Sequence, residues 1–185
     1  VTDCPVLACR FAADGGSLYG GARKNEFYRW DAFTGGASHS PGHDSWIAAL
    51  AFLPAPSRQI VTGGYDGMLI WWDISAPAPV AVRRVEAHRG SIRSVAVSPD
   101  GQLLATGGND NAVRVWSATD GTLVTELTGH ARHVYNVVFD PSGRSLVSGD
   151  LLGMLRQWEV GSWTLSRELE AKVLWKYDKD FKVDV

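Results

Sequence analysis

The sequence predicts an all-β fold built from four similar, four-stranded antiparallel sheets, and three observations carry that prediction. A segment closing on tryptophan recurs along the chain, with the closing residues at Trp30, Trp72, Trp116 and Trp158, in steps of 42, 44 and 42 residues. Between them run short apolar or alternating stretches separated by Gly, Pro, Asp and Ser, the pattern of antiparallel strands joined by tight hairpins. Helical periodicity is absent throughout.

The elements follow in order from the aligned segments RFAADGGSLYGGARKNEFYRW, AFLPAPSRQIVTGGYDGMLIWW, AVSPDGQLLATGGNDNAVRVW and VFDPSGRSLVSGDLLGMLRQW. In the third unit, strands are expected at 91–97, 103–106, 112–116 and 123–127, with turns at Pro99-Asp100-Gly101 and Asp120-Gly121. The Gly63-Gly64 and Gly107-Gly108 pairs are expected to end the second strands, where glycine permits backbone angles that a side chain would block. The stretch 75–82, SAPAPVAV, reads as a longer external connection containing an outer edge strand, because its prolines cannot donate to a central ladder.

Four strands per repeat, a closing Trp in each and a Gly-His or Ala-His opening three of them make units that bury their faces only against their neighbours. That is the signature of a β-propeller. These residues resemble the WD-repeat (WD40) family over nearly the whole chain. The expected blades are 1–41, 42–84, 85–127 and 128–169, with 170–185 an extended arm or the lead-in to a further blade carrying Lys172 in the His slot. Propellers close with four to eight blades, so four suggest a partial ring completed by further blades of the same polypeptide or by a second copy.

The resemblance implies a buried tetrad of His, Ser or Thr, Asp and Trp in each blade. Carried over by position, His43, Thr62, Asp66 and Trp72 form one set, and His88, Thr106, Asp110 and Trp116 the next. His88 to Trp116 and His130 to Trp158 both span 28 residues and His43 to Trp72 spans 29, the extra residue falling in the Pro54-Ala55-Pro56 turn. The fourth blade keeps His130, Ser148 and Trp158 but has Leu152 where the Asp is expected. The first has Thr2, Gly20 and Lys24, with only Trp30 retained. All four closing tryptophans are expected in the core, and Trp71 in the gap between blades.

Composition bounds the function. The chain has 185 residues, 45% apolar and 21% charged, with a net charge of −2 and no Lys/Arg cluster, which argues against nucleic acid as a partner. Cys4 and Cys9 match neither a redox pair nor a zinc spacing. No apolar run reaches the eighteen or so residues that span a bilayer. The chain reads as soluble, with no membrane association and an unassigned compartment. It begins at Val1 with no leader before the first strand, so a targeting signal is expected to be absent or outside this chain.

Chemistry offers few parts. His43, His88 and His130 are accounted for by the tetrads, so the His39–His43 and His130–His133 pairs are not read as metal sites, and no cofactor is expected. The nucleophile elbow and the phosphate-binding loop are both missing, and the channel-facing strands read as apolar, for example at Val95, Val97, Val137 and Val138.

What remains is a surface. In propellers of the resembling kind, partners dock on the narrow face around the channel. The register of the His and Asp slots puts Arg23, Trp46, Ala48, Tyr65, Ser91, Arg93, Asn109, His133, Tyr135 and Leu151 there. Of these, Arg23, Trp46, Tyr65, Arg93, Asn109, His133 and Tyr135 are the candidate contacts, rich in the Trp, Tyr and Arg that dominate binding hot spots. The expected function is a non-catalytic protein- or peptide-binding scaffold. The alternatives are an accessory propeller of a longer polypeptide carrying an enzyme module, and a propeller holding a small molecule in its channel.

Overall fold

A computed structural model describes residues 5–22 and 25–170. Among them every regular element is a strand, and the strands form four separate antiparallel sheets of four. The first sheet comprises β1 (Val6–Phe11), β2 (Ser17–Ala22), β3 (Glu26–Asp31) and β4 (Ala37–Pro41), and the second β5 (Ile47–Phe52), β6 (Gln59–Gly64), β7 (Met68–Asp73) and β8 (Val80–Glu86). The third comprises β9 (Ile92–Val97), β10 (Leu103–Gly108), β11 (Val113–Ser117) and β12 (Leu123–Leu127), and the fourth β13 (Val134–Phe139), β14 (Ser145–Asp150), β15 (Met154–Glu159) and β16 (Leu165–Glu170). Each sheet is a simple meander of sequential neighbours. The first strands β1, β5, β9 and β13 pack against one another in succession, making an open arc of propeller blades. Strand β8 runs to Glu86 and β16 to Glu170, slightly past the blade ends expected at 84 and 169.

The core lies between the blades, and the pleat decides which residue goes where. Successive side chains on a strand point to opposite faces. On β7, Ile70 and Trp72 join Tyr19 and Phe27 of the first blade, while Leu69 and Trp71 join Leu104 and Trp116 of the third. On the third blade the same alternation sends Ala105, Val113 and Val115 toward Val134, Leu146 and Trp158 of the fourth. A blade in the middle of the arc is therefore apolar on both faces, which is why MLIWWD reads as an unbroken apolar run. Trp71 is fully buried, and its indole N–H donates to the Ala118 carbonyl of the next blade at 2.9 Å. The proline-rich connection before β8 ties back to the first blade: Ser38 Oγ donates to the Pro77 carbonyl at 2.7 Å and Arg29 Nη1 to the same oxygen at 3.1 Å.

Three expectations are corrected. The glycine pairs end β6 and β10 as expected, but space rather than backbone angle demands them, since none of the four has a positive φ. A Cβ on Gly63 would sit 2.5 Å from Ile92 Cγ2, and one on Gly107 would sit 2.6 Å from Val134 Cγ1, where the next blade presses close. Trp30 is only half-buried; it stacks on Tyr28 with ring centroids 5.4 Å apart, while Phe27 takes the fully buried place. Val95 and Val137 face blade interfaces, Val138 is 53% exposed, and the axial groove is more polar than an apolar channel.

Candidate functional site

Three blades carry the same internal relay. In the second, Trp72 Nε1–H donates to Thr62 Oγ1 at 2.8 Å, Thr62 Oγ1 lies 2.7 Å from His43 Nε2, and His43 Nδ1 lies 3.0 Å from both Asp66 oxygens. The third repeats it with Trp116, Thr106, His88 and Asp110 at 3.0, 2.7 and 2.7 Å, and the fourth with Trp158, Ser148, His130 and Asp150 at 2.9, 2.7 and 3.0 Å. Donor chemistry fixes the proton order when the histidine is neutral. An ionised carboxylate only accepts, so Nδ1–H donates to Asp, and Nε2 must accept from the hydroxyl, which in turn accepts from the indole. The line joins the loop before the first strand to the second strand, third strand and hairpin of one blade.

The acid of the fourth blade is the correction here. Leu152 occupies the expected slot and is 49% exposed, whereas Asp150, two residues earlier and at the position of Gly64 and Gly108, supplies the carboxylate. The geometry explains the exchange: a Cβ on Gly64 would fall 2.3 Å from both Asp66 Oδ1 and His43 Nδ1, so a side chain rooted there starts where the carboxylate is needed. Asp150 Oδ1 also accepts from the backbone N–H groups of Leu152 and Met154 at 2.9 and 3.0 Å, as Asp66 does from Met68 at 3.0 Å. The sequence signal was Gly149-Asp150 replacing a Gly-Gly pair.

Electrostatics agree with this proton order. Burial pushes the Asp110 carboxyl up, but hydrogen bonds from His88 and Arg114 outweigh it and hold the group well below the usual range. Burial holds His130 below its ordinary 6.5, against the opposing pull of Asp150. The folded His130 thus stays neutral where an unfolded chain would bind a proton, so stability is full above about pH 6.5 and falls as the pH drops below it. The urea midpoint should decline between pH 7 and pH 5.5, at up to about 1.4 kcal/mol per pH unit for one group. A flat profile across that window would contradict a neutral His130.

On the loops above these relays, one backbone bond recurs and sets the register. Tyr65 N–H donates to the Trp46 carbonyl at 2.8 Å, Asn109 N–H to Ser91 at 2.9 Å, and Leu151 N–H to His133 at 3.0 Å. Each pair of candidate positions is thereby held side by side within its blade. Across blades, the side chains make a continuous row. Trp46 packs on Tyr65 with centroids 5.3 Å apart, and the Arg93 guanidinium lies 4.5 Å from the Tyr65 ring and 5.1 Å from that of Tyr135. Arg93 Nε donates to Asn109 Oδ1 at 2.8 Å and Nη1 donates to the Tyr65 hydroxyl, while His133 Nδ1 lies 2.6 Å from the Asn109 carbonyl. Trp46 is 37% exposed, Tyr135 44% and Leu151 57%; Arg23 lies outside the described residues.

Below the row, a groove of about 450 Å³ runs along the inner strands, lined among others by Arg10, Arg93, Ser94, Tyr135 and Asn136 and by no Asp or Glu among the described residues. Arg10 was not foreseen; its Nε donates to the Leu50 carbonyl at 3.3 Å, across to the neighbouring blade. Among the described residues no three His, Cys, Asp or Glu side chains are grouped to hold a metal ion, and no helix is long and apolar enough to cross a membrane.

Four-stranded meanders packed face to face around an axis, three of them pinned by an internal His–hydroxyl relay, define a repeat propeller. The WD domain, G-beta repeat family matches residues 37–73, 80–117 and 121–159, and the chain belongs to that family. It is 34% identical over 103 residues to the small ribosomal subunit protein RACK1y of Oryza sativa subsp. japonica, an alignment covering 54% of this chain and 30% of that protein. It is 33% identical over 117 residues to cell division cycle 20.1, cofactor of APC complex, of Arabidopsis thaliana, covering 60% of this chain and 24% of the relative. The chain thus spans less than a third of these relatives. A chain in the crystal structure of the mitotic checkpoint complex superposes with a TM-score of 0.83 at 20% identity, over 92% of this chain and 52% of that one, and shares the fold.

Proposed function

We propose that this chain is a non-catalytic scaffold that captures a protein or peptide partner on the row formed by Trp46, Tyr65, Arg93 and Tyr135. The observation that carries the reading is the row itself: aromatic rings and a guanidinium from three different blades stand in mutual contact on one face of the arc. Large, pre-ordered aromatic side chains bury much area for little loss of rotamer freedom, which is what binding hot spots favour. The names of two relatives, a ribosomal subunit protein and a cofactor of a complex, fit a role within assemblies. The exposed Leu151, Leu152, Leu165 and Leu169 of the last sheet support completion of the arc by further blades, of the same polypeptide or of a second copy.

The test is a Trp46→Ala/Tyr135→Ala double variant used as bait against extract of the source cells, beside the unaltered chain. Partner capture should fall by about thirtyfold or more, as for the loss of a hot spot of about 2 kcal/mol, while the melting temperature is kept. Undiminished capture by the folded double variant would remove the row from the binding site.

A further inference from the structure

We infer that Arg93 is an anion-recognition point, built to take a side-chain carboxylate of an acidic peptide segment lying along the axial groove. The inference rests on the row being the binding face and names the chemistry of what binds there.

A guanidinium has five N–H donors in one plane. In Arg93 the Nε proton is used by Asn109 and one Nη1 proton by the Tyr65 hydroxyl; Nη2 has no hydrogen-bond partner among the described residues. Both Nη2 protons and one on Nη1 are left over, and paired guanidinium N–H groups match the two oxygens of a carboxylate. The Tyr65 and Tyr135 rings flank the group at 4.5 and 5.1 Å and Asn109 fixes its rotation, so little freedom is left to lose on binding. A charge so thoroughly positioned has no acidic neighbour within 4.0 Å among the described residues. Arg114, by contrast, pairs with Asp110 and Glu126, and Arg156 with Glu168.

The groove extends the argument. Both charged side chains on its walls are arginines, Arg93 and Arg10, although the whole chain has 20 acidic residues against 18 Lys and Arg. The exclusion of carboxylates is therefore local to the groove, and a segment carrying its own is the complement. One guanidinium between aromatic walls neutralises a single charge. A phosphate, near −2, is read by clustered arginines, so the arrangement favours Asp or Glu over a phosphorylated residue.

Fluorescence anisotropy with labelled hexaglutamate, hexaglutamine and a phosphoserine hexapeptide tests this on the full chain. Hexaglutamate should bind, hexaglutamine should not, and added salt should weaken the complex. Arg93→Gln should reduce hexaglutamate affinity by about tenfold or more, the loss of a hydrogen-bonded charge pair. Arg93→Lys, which keeps charge without the fork, should also lose severalfold at unchanged melting temperature. No hexaglutamate binding, equal binding by either folded variant, or preference for the phosphoserine peptide would each overturn the inference. A cellular partner lost by Trp46→Ala/Tyr135→Ala but kept by Arg93→Gln would leave the row standing and overturn only the anion point.

Discussion

Thr62→Val should destabilise the chain by roughly 2–6 kcal/mol, while Thr62→Ser should stay within about 1 kcal/mol of the starting protein. Valine has almost the same shape as threonine, so no cavity opens. What goes is one oxygen used twice, as donor to His43 Nε2 at 2.7 Å and as acceptor from Trp72 Nε1 at 2.8 Å. Thr62, Trp72 and the His43 side chain are fully buried, so water cannot replace either bond. Each stranded buried group costs about 1–3 kcal/mol, and there are two. Serine keeps both bonds and loses only a methyl, and Ser148 already does the same work in the fourth blade. Urea unfolding monitored by tryptophan fluorescence measures both variants; a Val cost below about 1 kcal/mol would show that the relay does not hold the blade together.

Asp150→Ala should cost about 3–5 kcal/mol, because it removes the shared acceptor of a buried neutral imidazole and two backbone N–H groups, and each stranded donor costs about 1–3 kcal/mol. The substitution strands His130 Nδ1–H and the two backbone donors at Leu152 and Met154 in a place where the Asp150 side chain is 1% exposed. Leu152→Ala, at the position the repeat register assigns to the acid, should change stability by less than about 1 kcal/mol, because that side chain is half in solvent. Equal effects from the two substitutions would overturn the assignment of Asp150.

The repeat made the architecture legible, because a period of 42 to 44 residues with a fixed tryptophan leaves few alternatives to stacked sheets. Side-chain delivery was less legible. The spacing rule located the acid of the second and third blades but not of the fourth, since a carboxylate can reach the same point in space from two backbone positions. Likewise the register placed Trp46, Tyr65, Arg93 and Tyr135 on the narrow face of neighbouring blades, yet nothing in a one-dimensional pattern says that Arg93 enters between two rings of other blades. Arg10 was missed because the first unit lacks the relay that anchors the register elsewhere.

The packing of cores between blades has a kinetic corollary. Among the described residues the second and third blades are clamped on both faces and the first and fourth on one only, and every residue of β16 is exposed. Opening should start at the ends of the arc and progress inward, with amide exchange fastest in β16 and slowest in β6 and β10. Tyr135 stands on the fourth blade and Tyr65 on the clamped second, with Arg93 between them. If the proposed ligand lies across all three, it should work as a splint, and its affinity and the exchange rate of the last blade should become two readings of one equilibrium.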